Sequence, residues 1–468
     1  MSFGENIVGP GESTTLRESA GRIVKAALRR VEPSAMTRAA LSVTADTLRC
    51  AVDGKAVATI RLNDFDRVLV LGFGKAAAHM ARGVEHVLGS RITDGLVITK
   101  YGHTTNLERV RVREAAHPVP DDNGFSAASE LAQLAEAADE RTLVINLVSG
   151  GGSALLTLPY RDDTRQVSLE DLQSTTAALL RAGADITEIN TVRKHLSAVK
   201  GGRLASLLAP AVSVSLLLSD VVGDDLSSIA SGPTVGDTGT FVQAHEIIAR
   251  YELLESLPPA VARLISDGMS GKVPDTPRPG DAVFERAFTA IIGSNAQALL
   301  AAAEAAAAEG FEPVVLSSRV EGEAREIAHF YTALAADAPR LYPHRLPLCF
   351  IAGGETTVTV RGTGLGGRNQ EMAVSALLDM ARHPAWYQRA LCVAVATDGT
   401  DGPTDAAGGF ADLDALERLA PSPREAEAVI RPALAENDAY HVLSQAEALI
   451  KTGPTGTNVC DIQLVLRE

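Results

Sequence analysis

Several short stretches of this chain set a charged side chain beside glycines, a combination suited to holding anions. In VLVLGFGKAAAHM, residues 68–80, an apolar run breaks at Gly72-Phe73-Gly74-Lys75 and continues as a string of alanines. Gly72, Gly74 and Ala77 fit G-x-G-x-x-A, a form of the dinucleotide fingerprint in which missing side chains admit a pyrophosphate to a strand-to-helix turn. That fingerprint also needs an acid about 20 residues on, to hold ribose hydroxyls. The next apolar run, GLVIT, ends instead in Lys100-Tyr101-Gly102-His103, and Asp94 precedes it. Lys75 fits a different use, because an ammonium where strand gives way to helix joins backbone N–H groups in meeting a phosphate. The turn is not a Walker A loop, since Leu69 and Ala76 stand where Gly and Ser or Thr are required.

A second glycine loop, Ser149-Gly150-Gly151-Gly152-Ser153, also follows an apolar run and leaves backbone N–H groups open to phosphate oxygens. It is not a hydrolase nucleophile elbow, because Leu147 and Leu155 break G-x-S-x-G around either serine. In ITEINTVRKHLSAVKGGRLA, Asn190, Arg193, Lys194 and Ser197 recur at helical spacing and form a polar, basic face. Such a face is either solvated surface or a clamp for an anion, with Arg193 or Lys194 closing on a carboxylate. LLLSDVVGDD places Asp220 at a strand end, where open α/β sheets bind ligands, to hold magnesium or orient a hydroxyl. Farther on come Gly353-Gly354-Glu355 and Gly364-Leu365-Gly366-Gly367-Arg368, where glycines allow close approach and a guanidinium offers a bidentate fork. Asp398, Asp401 and Asp405 follow on a loop that is not an EF-hand, given Thr400 and Pro403. The ten histidines show no H-E-x-x-H pattern, and His117, ahead of Pro118, reads as a turn residue.

The elements that must position these residues are legible as alternation. Val/Ile/Leu runs at 68–71, 95–99, 143–148 and 212–218 read as buried strands between Ala-rich helical segments, the pattern of a parallel sheet wrapped by helices. Residues 125–137 read as a helix after Pro120-Asp121-Asp122-Asn123-Gly124, and Asp185 with Glu188 has capping-box spacing. Residues 268–282, GMSGKVPDTPRPGDA, concentrate Gly and Pro without apolar periodicity, so the domains are expected at 1–275 and 283–468. Strands of the second α/β region are expected at 289–293, 313–316, 347–352, 357–361, 391–397 and 459–467, with NAQALLAAAEAAAAEG a packed helix.

At 468 residues the chain has material for two cores. Hydrophobic residues make up 46% and charged residues 22%, a globular composition. No apolar run reaches the roughly 20 residues of a membrane span, and the N-terminus lacks the features of a secretory signal. A cytoplasmic enzyme without a membrane partner is expected. The net charge of −15 repels polyanions, so nucleic acid is excluded as a partner, although local cations can still hold a small anion. Four dispersed cysteines indicate neither a zinc site nor a disulfide scaffold.

Taken in order, GFGKAA, HPVPDDNG, SGGGSALL, INTVRKHLSAVKGGRLA, SDVVGDDLSSIASGPT, GGETTV, GLGGRNQE and TDGTDGPTDAAG resemble the glycerate 2-kinase family. These are the class II glycerate kinases, whose C-terminal part is the MOFRL domain. The resemblance implies a Rossmann-like N-terminal domain with a parallel sheet and a smaller C-terminal α/β domain. It implies magnesium-dependent transfer of the γ-phosphoryl group of ATP to the 2-hydroxyl of D-glycerate, with Lys75 and Arg368 at the family's catalytic positions. The residues read for themselves assign Gly72, Gly74, Ser149, Gly150, Gly151, Gly152, Ser153, Gly366 and Gly367 to the phosphate or nucleotide. They assign Arg193, Lys194, Asp220, Glu355, Asp398 and Asp401 to the substrate. The metal ligands stay open, and a homodimer is a possible assembly. Two competitors stand beside this expectation: an NAD(P)H-dependent hydroxypyruvate reductase, which would explain the G-x-G-x-x-A turn, and a non-catalytic sensor of sugar acids or nucleotides.

Overall fold

The computed structural model describes residues 15–468, which form two compact units. The first, Pro33–Ile292, opens with a short helix, Pro33–Ala40, and continues into a small antiparallel meander, β1 (Leu41–Thr44), β2 (Thr47–Val52) and β3 (Lys55–Arg61). Its main sheet holds β4 (Arg67–Phe73), β5 (Asp94–Lys100), β6 (Arg111–Ala115), β7 (Thr142–Val148), β8 (Val212–Leu218) and β9 (Ala287–Gly293), in the order β6-β5-β4-β7-β8-β9. From β6 to β8 the strands are parallel. β4, β7 and β8 are buried almost throughout, as continuous apolar runs require when helices cover both faces. On one face, Leu69, Leu71, Leu96, Ile98 and Val144 pack with Ala127, Ala128 and Leu131 of the helix Asp122–Glu136.

The chain leaves β4 toward β5 and β6, then returns to lay β7 on the other side of β4. Such a reversal opens a crevice at the strand carboxyl ends, where ligands of doubly wound sheets bind. The two glycine loops of the first unit follow β4 and β7, the strands flanking that reversal.

The second unit joins the segment ending at Glu32 to Gly293–Glu468. Its sheet holds β10 (Glu312–Val320), β11 (Leu348–Gly354), β12 (Ala390–Ala396), β13 (Gly408–Ala411), β14 (Leu449–Ile450) and β15 (Asp461–Arg467), in the order β10-β11-β15-β12-β13-β14. β15 lies antiparallel between β11 and β12, so both of its edges are paired, and it is buried along its whole length, including Asp461.

The expected boundary in 268–282 does not separate the units. That strap is tied to the first unit, where Thr276 Oγ1 and Lys194 Nζ both donate to the Asp237 carboxylate and Asp237 N–H donates to the Pro277 carbonyl. β9, expected to open the second domain, is the edge of the first sheet beside β8. In the other direction, the helix Thr15–Arg30 packs on the helix Asn295–Ala308, with Arg17 forked onto Asp412 and Arg22 onto Glu309. Residues 357–361 form no strand, because side chains take their backbone donors: Thr359 N–H donates to Glu323 and Arg361 N–H to Asn437 Oδ1. No helix among the described residues is long and apolar enough to cross a membrane.

Candidate active site

The two loops at the reversal of the first sheet are built into one turn. After Phe73 the chain turns at Gly74, whose φ of 125° is a conformation that residues with a Cβ rarely adopt. Lys75 N–H donates to the Gly150 carbonyl (2.9 Å), Ala76 N–H to Ser149 Oγ (3.0 Å) and Ser149 N–H to the Phe73 carbonyl (3.1 Å). Ser149, 1% exposed, is thus the lock between the loops, and a methyl on Gly74 would collide with it. The N–H groups of Gly150, Gly151 and Ser153 have no acceptor among the described residues, and Gly151 is left-handed at φ 79°. Successive free N–H groups around a left-handed residue form an anion-binding nest. The Lys75 ammonium likewise has no carboxylate in salt-bridge range among the described residues.

Other side chains close on this nest. Asp220, just past β8, packs so near Gly150 that an added methyl would overlap its carboxylate, which explains the glycine. His117 lies against Gly151 on the Lys75 side: a Cβ built on Gly151 would be 3.0 Å from His117 Cδ2 and 3.2 Å from Lys75 Cγ. Burial, then the charges of Lys75, Lys100 and His103, push the His117 imidazole down to about 4. Ser153 Oγ is 2.8 Å from Ser231 Oγ, which donates to Asn190 Oδ1 (3.2 Å); Arg193 Nη1 donates to the same oxygen (3.3 Å). Arg193 is half-buried without a carboxylate in salt-bridge range, and burial lowers its pKa. Behind the loop, the fully buried Lys200 donates to the carbonyls of Ser153 (2.7 Å) and Leu156 (3.0 Å), and desolvation pushes its pKa far down.

Ala230 and Ser231 hold φ of 51° and 63°, strain of about 1–3 kcal/mol each for residues with a Cβ. The carbonyls of Ser231 and Gly232 accept from the N–H groups of Gly201 (3.0 Å) and Gly202 (2.7 Å), which fixes the turn and aims Ser231 at Ser153.

Three expected contacts in this unit have other duties. Lys194, 6% exposed, is spent on Asp237 at 2.9 Å, so it offers no free charge for a carboxylate. Gly72 lies inside β4, where a Cβ would press on Val97 and Leu147; it serves sheet packing. Gly152 packs against Ala230, and its N–H donates to the Ser149 carbonyl. Ser197 lies beyond the helix Ile186–His195, so the four polar residues do not share one helical face.

In the second unit, the helix Arg368–Arg382 begins against β15. Arg368 Nε and Nη2 fork onto the Asp461 carboxylate (2.6 and 3.0 Å), and Nη1 donates to Glu355 (2.7 Å). Its bidentate partner is therefore an internal carboxylate, and what remains for a ligand is the rest of the guanidinium's N–H groups. Burial pushes Asp461 up to about 6, and contact with Arg368 keeps it from rising further. Asp401, 2% exposed, accepts from the N–H groups of Asn369 (3.1 Å) and Gln370 (2.9 Å) and from both their side chains. It caps the helix and fills the place where an anion would sit, so Asp401 is not a substrate contact. Gly367 is required because a Cβ would strike Asp401, and a Cβ on Gly366 would crowd Ala439 and Asn437; the N–H groups of both glycines have no acceptor among the described residues. Asp398 is half-exposed and accepts from Thr400 N–H (3.0 Å) in its own turn.

Sequence reasoning missed His117, Ser231, Asn190's link to Ser153, Lys200 and Asp461. Only Lys200 carried a signal, as a lysine next to Gly201-Gly202; the others are brought in by tertiary packing.

A family model described as a domain of unknown function (DUF4147) matches residues 19–266, and the MOFRL family model matches 348–461. A glycerate 2-kinase of Pyrococcus horikoshii is 39% identical, covering 96% of this chain and 97% of its own. A putative hydroxypyruvate reductase of Agrobacterium vitis is 40% identical over 86% of this chain and 99% of its own. The crystal structure of a glycerate kinase (EC 2.7.1.31) from Thermotoga maritima superposes with a TM-score of 0.81 at 36% identity, covering 97% of this chain and 99% of that one.

Proposed function

The chain belongs to the glycerate kinase family, built of a DUF4147 region followed by a MOFRL region, and from that premise we propose that it transfers the γ-phosphoryl group of ATP to the 2-hydroxyl of D-glycerate. The observation that carries this reading is the turn at Lys75: an ammonium with no carboxylate partner among the described residues, beside N–H groups of Gly150, Gly151 and Ser153 that have no acceptor among them, at the reversal of a parallel sheet. Phosphoryl transfer asks a protein mainly for positioning and for charge compensation. The nest and Lys75 meet anionic oxygens, and Lys75 offsets charge that grows on the transferring group. Arg193, held at Asn190 and with no carboxylate in salt-bridge range among the described residues, is the cation for the substrate carboxylate. Arg368, oriented by Asp461 and Glu355, adds positive charge through its remaining N–H groups.

Magnesium in such reactions is bound largely by the nucleotide's phosphates and water with one or two carboxylates, and Asp220, against the nest, is the carboxylate here that fits it. The ion, when bound, neutralises phosphate charge.

Clamping the carboxylate fixes the adjoining C2 and leaves C3 freer, so near-attack geometry favours the 2-hydroxyl. The test is ADP release with D-glycerate and magnesium, followed by phosphorus NMR of the product with no mutase present. 2-Phosphoglycerate is expected; a dominant 3-phosphoglycerate signal keeps the kinase and removes the carboxylate clamp. The relative named as a hydroxypyruvate reductase raises a second reading. Against it, β5 ends in Lys100 rather than the acid that a dinucleotide's ribose requires. Oxidation of NADH on adding hydroxypyruvate would decide for that reading.

A further inference from the structure

From the sequence His117 reads as a turn residue, yet its ring packs on Gly151 beside Lys75. We propose that His117 is part of the anion-binding face of this loop and takes up a proton from solvent when a phosphate or carboxylate group settles on the Gly150–Gly151 N–H groups and Lys75. The inference rests on the reading of this loop as the site for an anionic group, and it adds a titrating contact to it.

Neither ring nitrogen of His117 has a hydrogen-bond partner among the described residues, and the ring is half-buried. The cations that act on it come from three places: Lys75 after β4, Lys100 at the end of β5, and His103 just beyond. The acids nearby have other engagements. Asp121 accepts from Tyr101, Ala116 and Gly124, and Glu114 accepts from Gly102 N–H. Asp220 packs on Gly150, the next residue of the nest. None of these carboxylates is among the charges acting on the His117 ring, all of which are positive. The imidazole is therefore neutral in the free protein because it is partly desolvated and its surroundings are already cationic. An anionic group on the nest reverses the sign of that local potential, which favours the imidazolium and gives the anion a further donor.

Linkage fixes the sign. The free-state pKa is depressed and the ligand raises it, so the added affinity is fully present below the free-state pKa. It is lost as pH rises through the bound-state pKa. Between those values affinity falls by about tenfold per pH unit for one proton taken up.

The experiment uses the full chain with two probes applied separately, D-glycerate and the magnesium complex of a non-hydrolysable ATP analogue. Calorimetry at pH 6 in buffers of different ionisation enthalpy counts the protons, and nitrogen NMR of labelled histidine reports the His117 ring. Uptake approaching one proton with one probe, with the His117 signal moving to imidazolium, is expected; the probe that does so identifies the group on the nest. His117→Gln should abolish both the uptake and its pH-dependent share of affinity. Saturating binding of both probes with His117 still neutral overturns the inference and leaves the kinase reading standing. Failure of both probes to bind takes down the reading of the loop and the inference with it. The NMR measurement on the unaltered protein decides the matter even if His117→Gln does not fold.

Discussion

Lys75 and Arg368 carry positive charge in different ways, and their substitutions should fail differently. Lys75 makes no side-chain ion pair among the described residues, so nothing in the fold depends on its charge. Lys75→Ala is expected to lower kcat by about a hundredfold to a thousandfold, the scale for losing one electrostatic contact to a transition state, with the melting temperature unchanged. Near-normal turnover in an ADP-release assay would mean that the turn is structural and the site lies elsewhere. Arg368 holds a carboxylate that has no exposure at all. Arg368→Ala leaves Asp461 buried without its partner and should cost about 2–4 kcal/mol, below the full buried-pair value because the arginine itself is 30% exposed. Arg368→Lys keeps the charge but cannot fork onto Asp461, so activity should stay severely impaired. Denaturant melts and kcat measured on both variants separate the stability loss from the catalytic one.

At the scale of elements, the loops do their work through glycines whose neighbours have been identified. Gly150→Ala should displace the half-exposed Asp220 rather than unfold the sheet, lowering activity more than stability; an unchanged kcat would remove Asp220 from the site. Asp401→Ala should do the reverse, costing about 2–4 kcal/mol, because it uncaps the helix Arg368–Arg382 and leaves the N–H groups of Asn369 and Gln370 unpaired in a buried place. A melt unshifted by that change would show that the cap contributes nothing. These loops were legible in the sequence as glycine clusters after apolar runs, and β4, β5, β7 and β8 lie where their Val/Ile/Leu runs placed them. The capping box of Asp185 and Glu188 is present as its spacing required. What a glycine is for was not legible. Gly150 makes room for Asp220, Gly367 for Asp401 and Gly72 for its sheet neighbours. Charge raised the same difficulty: Arg193 and Lys194 are adjacent and alike in sequence, but the fold presents a carboxylate, Asp237, to Lys194 alone.

For the whole molecule, the partition of the chain makes the two units unequal as isolated pieces. Pro33–Ile292 is continuous and contains β1 through β8 and all of β9 but its last residue, so a fragment of 33–292 holds every strand of its two sheets. The second unit is discontinuous, and its Asn295–Ala308 helix is covered by Thr15–Arg30 from the far end of the chain. Ile23, Val24, Leu28 and Val31 are each at most 3% exposed, and burial of such a side chain contributes about 1.5–3 kcal/mol. Losing four of them takes away an amount comparable with the 5–15 kcal/mol that typically holds a domain together. The forks of Arg17 on Asp412 and Arg22 on Glu309 go with them. A 293–468 fragment should therefore melt without a cooperative transition, whereas 33–292 melts cooperatively. Fusing residues 15–32 through a flexible linker to the start of 293–468 should restore the missing transition. Circular dichroism melts of the three fragments make the comparison: a cooperative transition in unassisted 293–468 would show that this sheet and its helices are sufficient alone, and that the N-terminal helix covers a core already closed.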